Sequence, residues 1–201
     1  RARPRLQGQA MAQVKPPDAE YNAPGYTPAR TERELEDVVA RVPIVKFLLE
    51  AMEKAGCPVN KKFFHIEHCE QAVVGGFSPD VGIVMCHNNI SCRTDVENMV
   101  AHELIHAYDQ CRNKHMNWLD LKQHACSEVR AANLSGDCHW VNEFFRMNWG
   151  YQAQHQTCVR RRAELSVAMS PACKSNEHAK AAVAEVFDQC FRDTRPFDDI
   201  P

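Results

Sequence analysis

The stretch TDVENMVAHELIHAYDQCR, residues 94–112, decides what kind of fold this chain must adopt. Val96, Val100, Leu104, Ala107 and Tyr108 recur at helical spacing and form one apolar stripe. Thr94 with Glu97 reads as a capping box that opens this helix, which runs to about Arg112. Inside it lies His102-Glu103-Leu104-Ile105-His106, a His-Glu-x-x-His motif. Side chains four residues apart share one helix face, one turn apart, so both imidazoles can reach a single zinc ion. Glu103 is placed to take a proton from the attacking water.

A catalytic zinc needs a third protein ligand and an open position. The metzincin pattern would place Gly at 109 and His at 112, but this chain has Asp109 and Arg112. Asp109 shares the motif's face, yet seven residues past His102 is about 10.5 Å along the axis. A straight helix cannot wrap three such ligands around one ion. Asp109 is therefore expected to orient one of the histidines. Glu128 is the expected third ligand. It falls on the apolar face of a second helix, about Leu119–Leu134, among Leu121, Ala125, Val129 and Ala132. A carboxylate there costs several kcal/mol unless paired, and zinc would pair it. Small residues at Ala125, Ala131, Ala132 and Ser135 permit close approach to the motif helix. The competing reading pairs Glu128 with Arg112 or Arg130, and His124 is the runner-up ligand. The expected centre is thus one catalytic zinc held by His102, His106 and Glu128, with Glu103 as general base. Tyr108, Tyr151 and His155 are the candidates for stabilising an oxyanion.

Around these helices the chain reads as one domain, residues 31–201, after an unstructured tail at 1–30 punctuated by Pro4, Pro16, Pro17, Pro24 and Pro28. Thr31 with Glu34 caps a helix to about Arg41. A second helix runs from Pro43 to a stop at Gly56, with Ile44, Leu48 and Met52 on one stripe. Phe63–Ile66, Val73–Phe77 and Val81–Cys86 read as strands. Later helices fall at about His139–Asn148, Tyr151–Met169 and Asn176–Arg192. The expected fold class is α+β: a small antiparallel sheet packed on a mostly helical, gluzincin-like zincin domain. The edge of Val81–Cys86 could receive an extended peptide.

The chain has 201 residues, with 24 basic and 26 acidic side chains and a net charge of −2. Nothing here asks for a nucleic-acid partner, and no apolar run is long enough to span a bilayer. Cysteine is the outlier, with ten residues and no Cys-x-x-Cys pair. An even, dispersed set favours five disulfides and an oxidising compartment over a metal cluster. His65, His68 and His87, near Cys57, Cys69 and Cys86, are expected as surface histidines plus disulfides rather than a second zinc site. Phe144, Phe145, Met147, Trp149 and Tyr151 are expected in the core. Arg160, Arg161 and Arg162 are expected on a solvated helix face.

Several segments carry a family resemblance: VAHELIHAYDQCR (Val100–Arg112), ACSEVRAANLSGDC (Ala125–Cys138), HQTCVRRRA (His155–Ala163), CPVN at Cys57, GGF at Gly75 and EVFDQCFRD ending at Asp193. From about residue 43 to the C-terminus the chain resembles the mitochondrial inner-membrane zinc metalloproteases that process and assemble ATP synthase, also known as Ku-autoantigen-binding peptidases. The resemblance implies residence in the intermembrane space, peripheral on the inner membrane, with cysteines oxidised during import. It implies polypeptide substrates, among them a membrane subunit of ATP synthase, and a role in assembling that membrane sector. An alternative it also implies is an assembly chaperone whose protease site is dispensable. His102, Glu103 and His106 map directly onto the family motif.

Overall fold

A computed structural model describes residues 26–138 and 154–201. Helix α1 (Pro28–Arg41) starts three residues before the expected cap. Thr27 accepts the Arg30 amide through its hydroxyl, and Pro28 sits at the first helical position, where its missing N–H costs nothing. Thr31, the expected cap, is instead buried inside the helix. Helix α2 (Pro43–Lys54) follows after one residue, and Leu35, Val38, Val45, Leu48 and Met52 turn inward.

The sheet is small, as expected, but its pairing is mixed. Strands β1 (Phe64–Glu67), β2 (Gly75–Ser78) and β3 (Gly82–Cys86) lie in the order β1-β3-β2. β2 and β3 form an antiparallel hairpin with Phe77 opposite Ile83. β1 runs parallel to β3, with Phe64 opposite Ile83 and Glu67 opposite Cys86. The link from β1 to β2 leaves a strand-wide gap, and the hairpin return fills it. β3 is therefore central and has no free edge for a peptide. Gly82 permits the fit: its φ is 103°, and a Cβ there would lie 2.3 Å from the Phe63 carbonyl oxygen.

Helix α3 (Arg93–Arg112) carries the motif and packs across β2 and β3. Its capping box is shifted from the expected pair. Asp95 accepts the amides of Ser91 and Cys92, while Glu97 pairs with Arg93. A carboxylate nearer the helix start sees more of the unpaired N–H groups. Helix α4 (Leu121–Leu134) opens on Asp120, which accepts the Lys122 and Gln123 amides. It closes before Gly136, whose φ of 84° suits the expected stop. Helices α5 (Gln154–Ala168) and α6 (Asn176–Phe191) complete the described body. The expected helix at about 139–148 and the aromatic cluster Phe144–Tyr151 lie outside the described residues.

Among the described residues two large apolar cores result, beside a small cluster at Val73 and Cys86. One joins the sheet to α1, α2 and α3. The other joins α4, α5 and α6. Helix α4 serves both, with Ala131 and Leu134 in the first and Ala125, Val129 and Ala132 in the second. Four disulfides link the flanks: Cys57–Cys111, Cys69–Cys86, Cys126–Cys190 and Cys138–Cys158. The fifth expected bridge is absent, and Cys92 and Cys173 remain thiols. Under denaturing, non-reducing conditions a thiol reagent should label two cysteines per chain, against ten after reduction. No labelling would mean that Cys92 and Cys173 also pair. Labelling of four or more would mean that one of the four bridges is open.

Candidate metal centre

Helices α3 and α4 pack against each other, and the expected ligands meet between them. One ligand atom each from His102, His106 and Glu128 lies within 4.8 Å of the others, and all three residues are buried. Glu128 Oε2 is 3.5 Å from His102 Nε2, and Glu128 Oε1 is 3.6 Å from His106 Nε2. Ligands about 2.0–2.1 Å from one tetrahedral ion stand about 3.3 Å apart, so the spacing fits a single zinc-sized cation. His102 Nε2, His106 Nε2 and Glu128 Oε2 accept or donate no hydrogen bond. Buried polar atoms left unpaired are costly, and three converging on one point fit a metal.

Glu103 lies on the same helix, fully buried, with neither carboxylate oxygen hydrogen-bonded. Burial lifts its carboxyl to about 8, although the His102 charge opposes the shift. Burial alone would also neutralise Glu128, but the surrounding His106, His102 and His124 rings hold it well below the usual carboxylate range. The two motif histidines separate. Burial pushes His106 down to about 3. Burial acts on His102 too, yet the adjacent Asp137 and Glu128 carboxylates outweigh it and raise it to about 10. Of the two histidines, His102 rather than His106 therefore carries the added proton when no metal is bound.

The surrounding residues divide into expected and missed. Asp109 does support a histidine, through an intermediary: His106 Nδ1 lies 2.7 Å from Ser127 Oγ, which donates to Asp109 at 2.9 Å. Arg130 and Arg112, the competing partners for Glu128, bind Asp109 and Asp193 instead. His124 is not among the converging ligands; its Nε2 sits 3.1 Å from Glu128 Oε1, one turn away on α4. Asp137, absent from the sequence expectations, stands 3.4 Å from His102 Nδ1 and 3.0 Å from Arg162. Arg162 is thus drawn inward, while Arg160 lies over the Phe187 ring, so the basic run is not a uniformly solvated face. Trp118, also missed, sets its ring edge-to-face with His106 and His124 and donates to Gln110. No periodicity marks Trp118 or Asp137, because both lie outside helices.

The oxyanion candidates do not gather here. Tyr108 lines a groove with Phe47, Lys54 and Pro196 on another side of α3. Both ring nitrogens of His155 are engaged, by the Cys138 carbonyl and Asn133. Tyr151 lies outside the described residues. The suspected second cluster resolves as expected: Cys57, Cys69 and Cys86 are in disulfides, and His65 and His87 bond backbone carbonyls.

Comparison with known proteins bears on this geometry. The peptidase M76 family model matches residues 29–198. A Coccidioides immitis protein named mitochondrial inner membrane protease ATP23 is 45% identical over 173 residues, spanning 85% of this chain and 73% of that protein. An Aspergillus niger protein of the same name is 43% identical over the same span and shares. A Homo sapiens protein, mitochondrial inner membrane protease ATP23 homolog, is 52% identical over 162 residues, covering 79% of this chain and 65% of the human protein. No solved structure matches.

The Glu103 shift has a signed consequence for the metal-free protein. Unfolded, the carboxyl loses its proton near 4.5; folded, it keeps it to about 8. Between those values the folded state binds more protons, so this group's contribution falls as pH rises. Glu103→Gln should therefore gain on the parent across that window, by on the order of 1–3 kcal/mol at pH 8.5, and match it below pH 4.5. Urea unfolding of both proteins at several pH values measures this. A pH-independent difference would remove the case for a buried, proton-retaining Glu103.

Proposed function

The chain belongs to the peptidase M76 family, and from that premise we propose that it is a zinc-dependent endopeptidase of the mitochondrial intermembrane space, peripheral on the inner membrane. The observation that carries the reading is the convergence of two unpaired imidazole nitrogens and an unpaired carboxylate oxygen beside the buried Glu103. His102, His106 and Glu128 would hold the ion. Bound there, zinc would supply Lewis acidity toward the scissile carbonyl and lower the pKa of the attacking water.

The chain's own residues supply the rest. Glu103 takes the water's proton and returns it to the leaving amine. His124 holds the Glu128 carboxylate from one turn away, and Trp118 covers His106 with an apolar ring. The peptide-binding edge passes from β3 to β2. The Cys86 amide donates to the Val74 carbonyl, so in this antiparallel ladder Gly75 and Phe77 direct their backbone groups away from β3. Among the described residues no strand pairs with that side. An extended substrate would lie along it, over the motif helix.

Four disulfides support an oxidising compartment. No described helix is long and apolar enough to cross a membrane, in keeping with peripheral contact. Substrates are then polypeptides at the inner membrane, and help in assembling the ATP synthase membrane sector is a separate activity within the same proposal. Glu103→Gln should bind zinc normally and cleave unfolded polypeptide about 10²- to 10⁴-fold more slowly. Glu128→Ala should lose the zinc itself. Cleavage by Glu103→Gln at the parent rate would sink the assignment, and failure of that folded variant to support assembly would tie the two activities together.

A further inference from the structure

A buried ionic network extends from His106 to the C-terminal segment, and neither the proposed chemistry nor the packing accounts for it. Arg130 has no exposed surface. Its Nε donates to Asp109 at 3.0 Å, and its outer nitrogens reach the Asp193 carboxylate at 2.9 Å and the main-chain carbonyls of Asp193 and Arg195. Arg112 adds a second bridge between Asp109 and Asp193, at 3.0 and 2.8 Å. Ion pairs buried this deeply are weak sources of stability, which leaves room for another role.

The proton directions give one. Asp109, contacted by two guanidinium groups, is an acceptor, so the Ser127 hydroxyl donates its single proton to it at 2.9 Å. Toward His106, 2.7 Å away, Ser127 can then only accept. The proton must sit on His106 Nδ1, which leaves the lone pair of Nε2 facing Glu128 and the ligand cluster. The relay therefore fixes both the ring's tautomer and its angle. The C-terminal segment holds the relay from behind, since Asp193 binds both arginines that grip Asp109.

We propose that Ser127 and Asp109 are positioning residues for the metal ligand His106, and that the segment around Asp193 clamps them through Arg130. The inference rests on the metal-site reading above, and it makes metal retention depend on residues beyond α6.

The test is zinc affinity of the disulfide-intact full chain, measured by chelator competition, with the visible spectrum of the cobalt-substituted protein as a second readout. Ser127→Ala should weaken zinc binding about 10- to 100-fold and alter the cobalt spectrum. Asp193→Asn should weaken it less, and Ser127→Thr, which keeps the hydroxyl, should restore it. Ser166→Ala removes another buried hydroxyl, on α5, and should change nothing. Parent-like affinity and spectrum in Ser127→Ala would overturn the proposal. So would an equal loss in Ser166→Ala, which would mark a general packing effect. If Ser127→Ala does not fold, nuclear magnetic resonance of the zinc-loaded parent decides. A slowly exchanging His106 Nδ1 proton supports the relay, and ligation through Nδ1 excludes it. A parent whose zinc affinity is insensitive to Glu128→Ala would instead refute the metal-site reading itself.

Discussion

The crossing of α3 over α4 is the constraint from which the rest of this structure follows. Both helices bring charged side chains into a region sealed from water, and each charge must be answered there. Close approach is possible because α4 turns the small Ala131 into the core it shares with α3, with no bulk to hold the axes apart. The two cores on either side then clamp the crossing, one under the sheet and one under α5 and α6. Disulfides reinforce its margins. Cys57–Cys111 ties the last turn of α3 to the end of α2, and Cys126–Cys190 ties α4 to α6. A ligand set spread over two helices keeps its geometry only if their relative position is fixed, and these links fix it.

The sequence is most legible where period and chemistry coincide. His102 and His106 are read from helical spacing. Glu128 is read from the cost of a carboxylate on an apolar stripe, a cost the structure confirms by its complete burial. Capping was harder to place, because Thr27, Asp95, Thr31 and Thr94 all carry capping chemistry and only tertiary context selects among them. Strand order was not legible. Each strand was found within a residue or two, but nothing local says that β3 enters between its predecessors. Asp137 and Ser127 escaped notice for different reasons. Asp137 sits in a turn, where no periodicity gives its direction, and Ser127 is a small polar residue whose role exists only through His106 and Asp109.

The two motif histidines, alike in sequence, stand in unlike surroundings. His102 lies directly between two carboxylates, those of Asp137 and Glu128. His106 meets a neutral hydroxyl first and a carboxylate only beyond it. This explains why the protons of the metal-free centre divide unequally between them. The partners also lead to different parts of the chain. Asp137 is held by Arg162 and adjoins the Cys138–Cys158 bridge to α5, whereas Asp109 is held by arginines that reach the C-terminal segment. The centre is thus braced from two sides.

Charge gives the last step. Of the buried acids at this crossing, Asp109 has Arg112 and Arg130, and Asp137 has Arg162. Among the described residues Glu103 and Glu128 have no lysine or arginine in contact, and these are the two beside the converging imidazoles. Without an ion the protein manages this surplus by keeping a proton on Glu103 and another on His102. A divalent cation would replace both, supplying two positive charges where two acids lack a fixed counter-ion and freeing Glu103 to act as a base. An arginine in place of the ion would satisfy the same charge but would fill the open position that a reacting group needs. Leaving two carboxylates unanswered at one point, while pairing their buried neighbours so thoroughly, therefore fits a centre arranged around a metal.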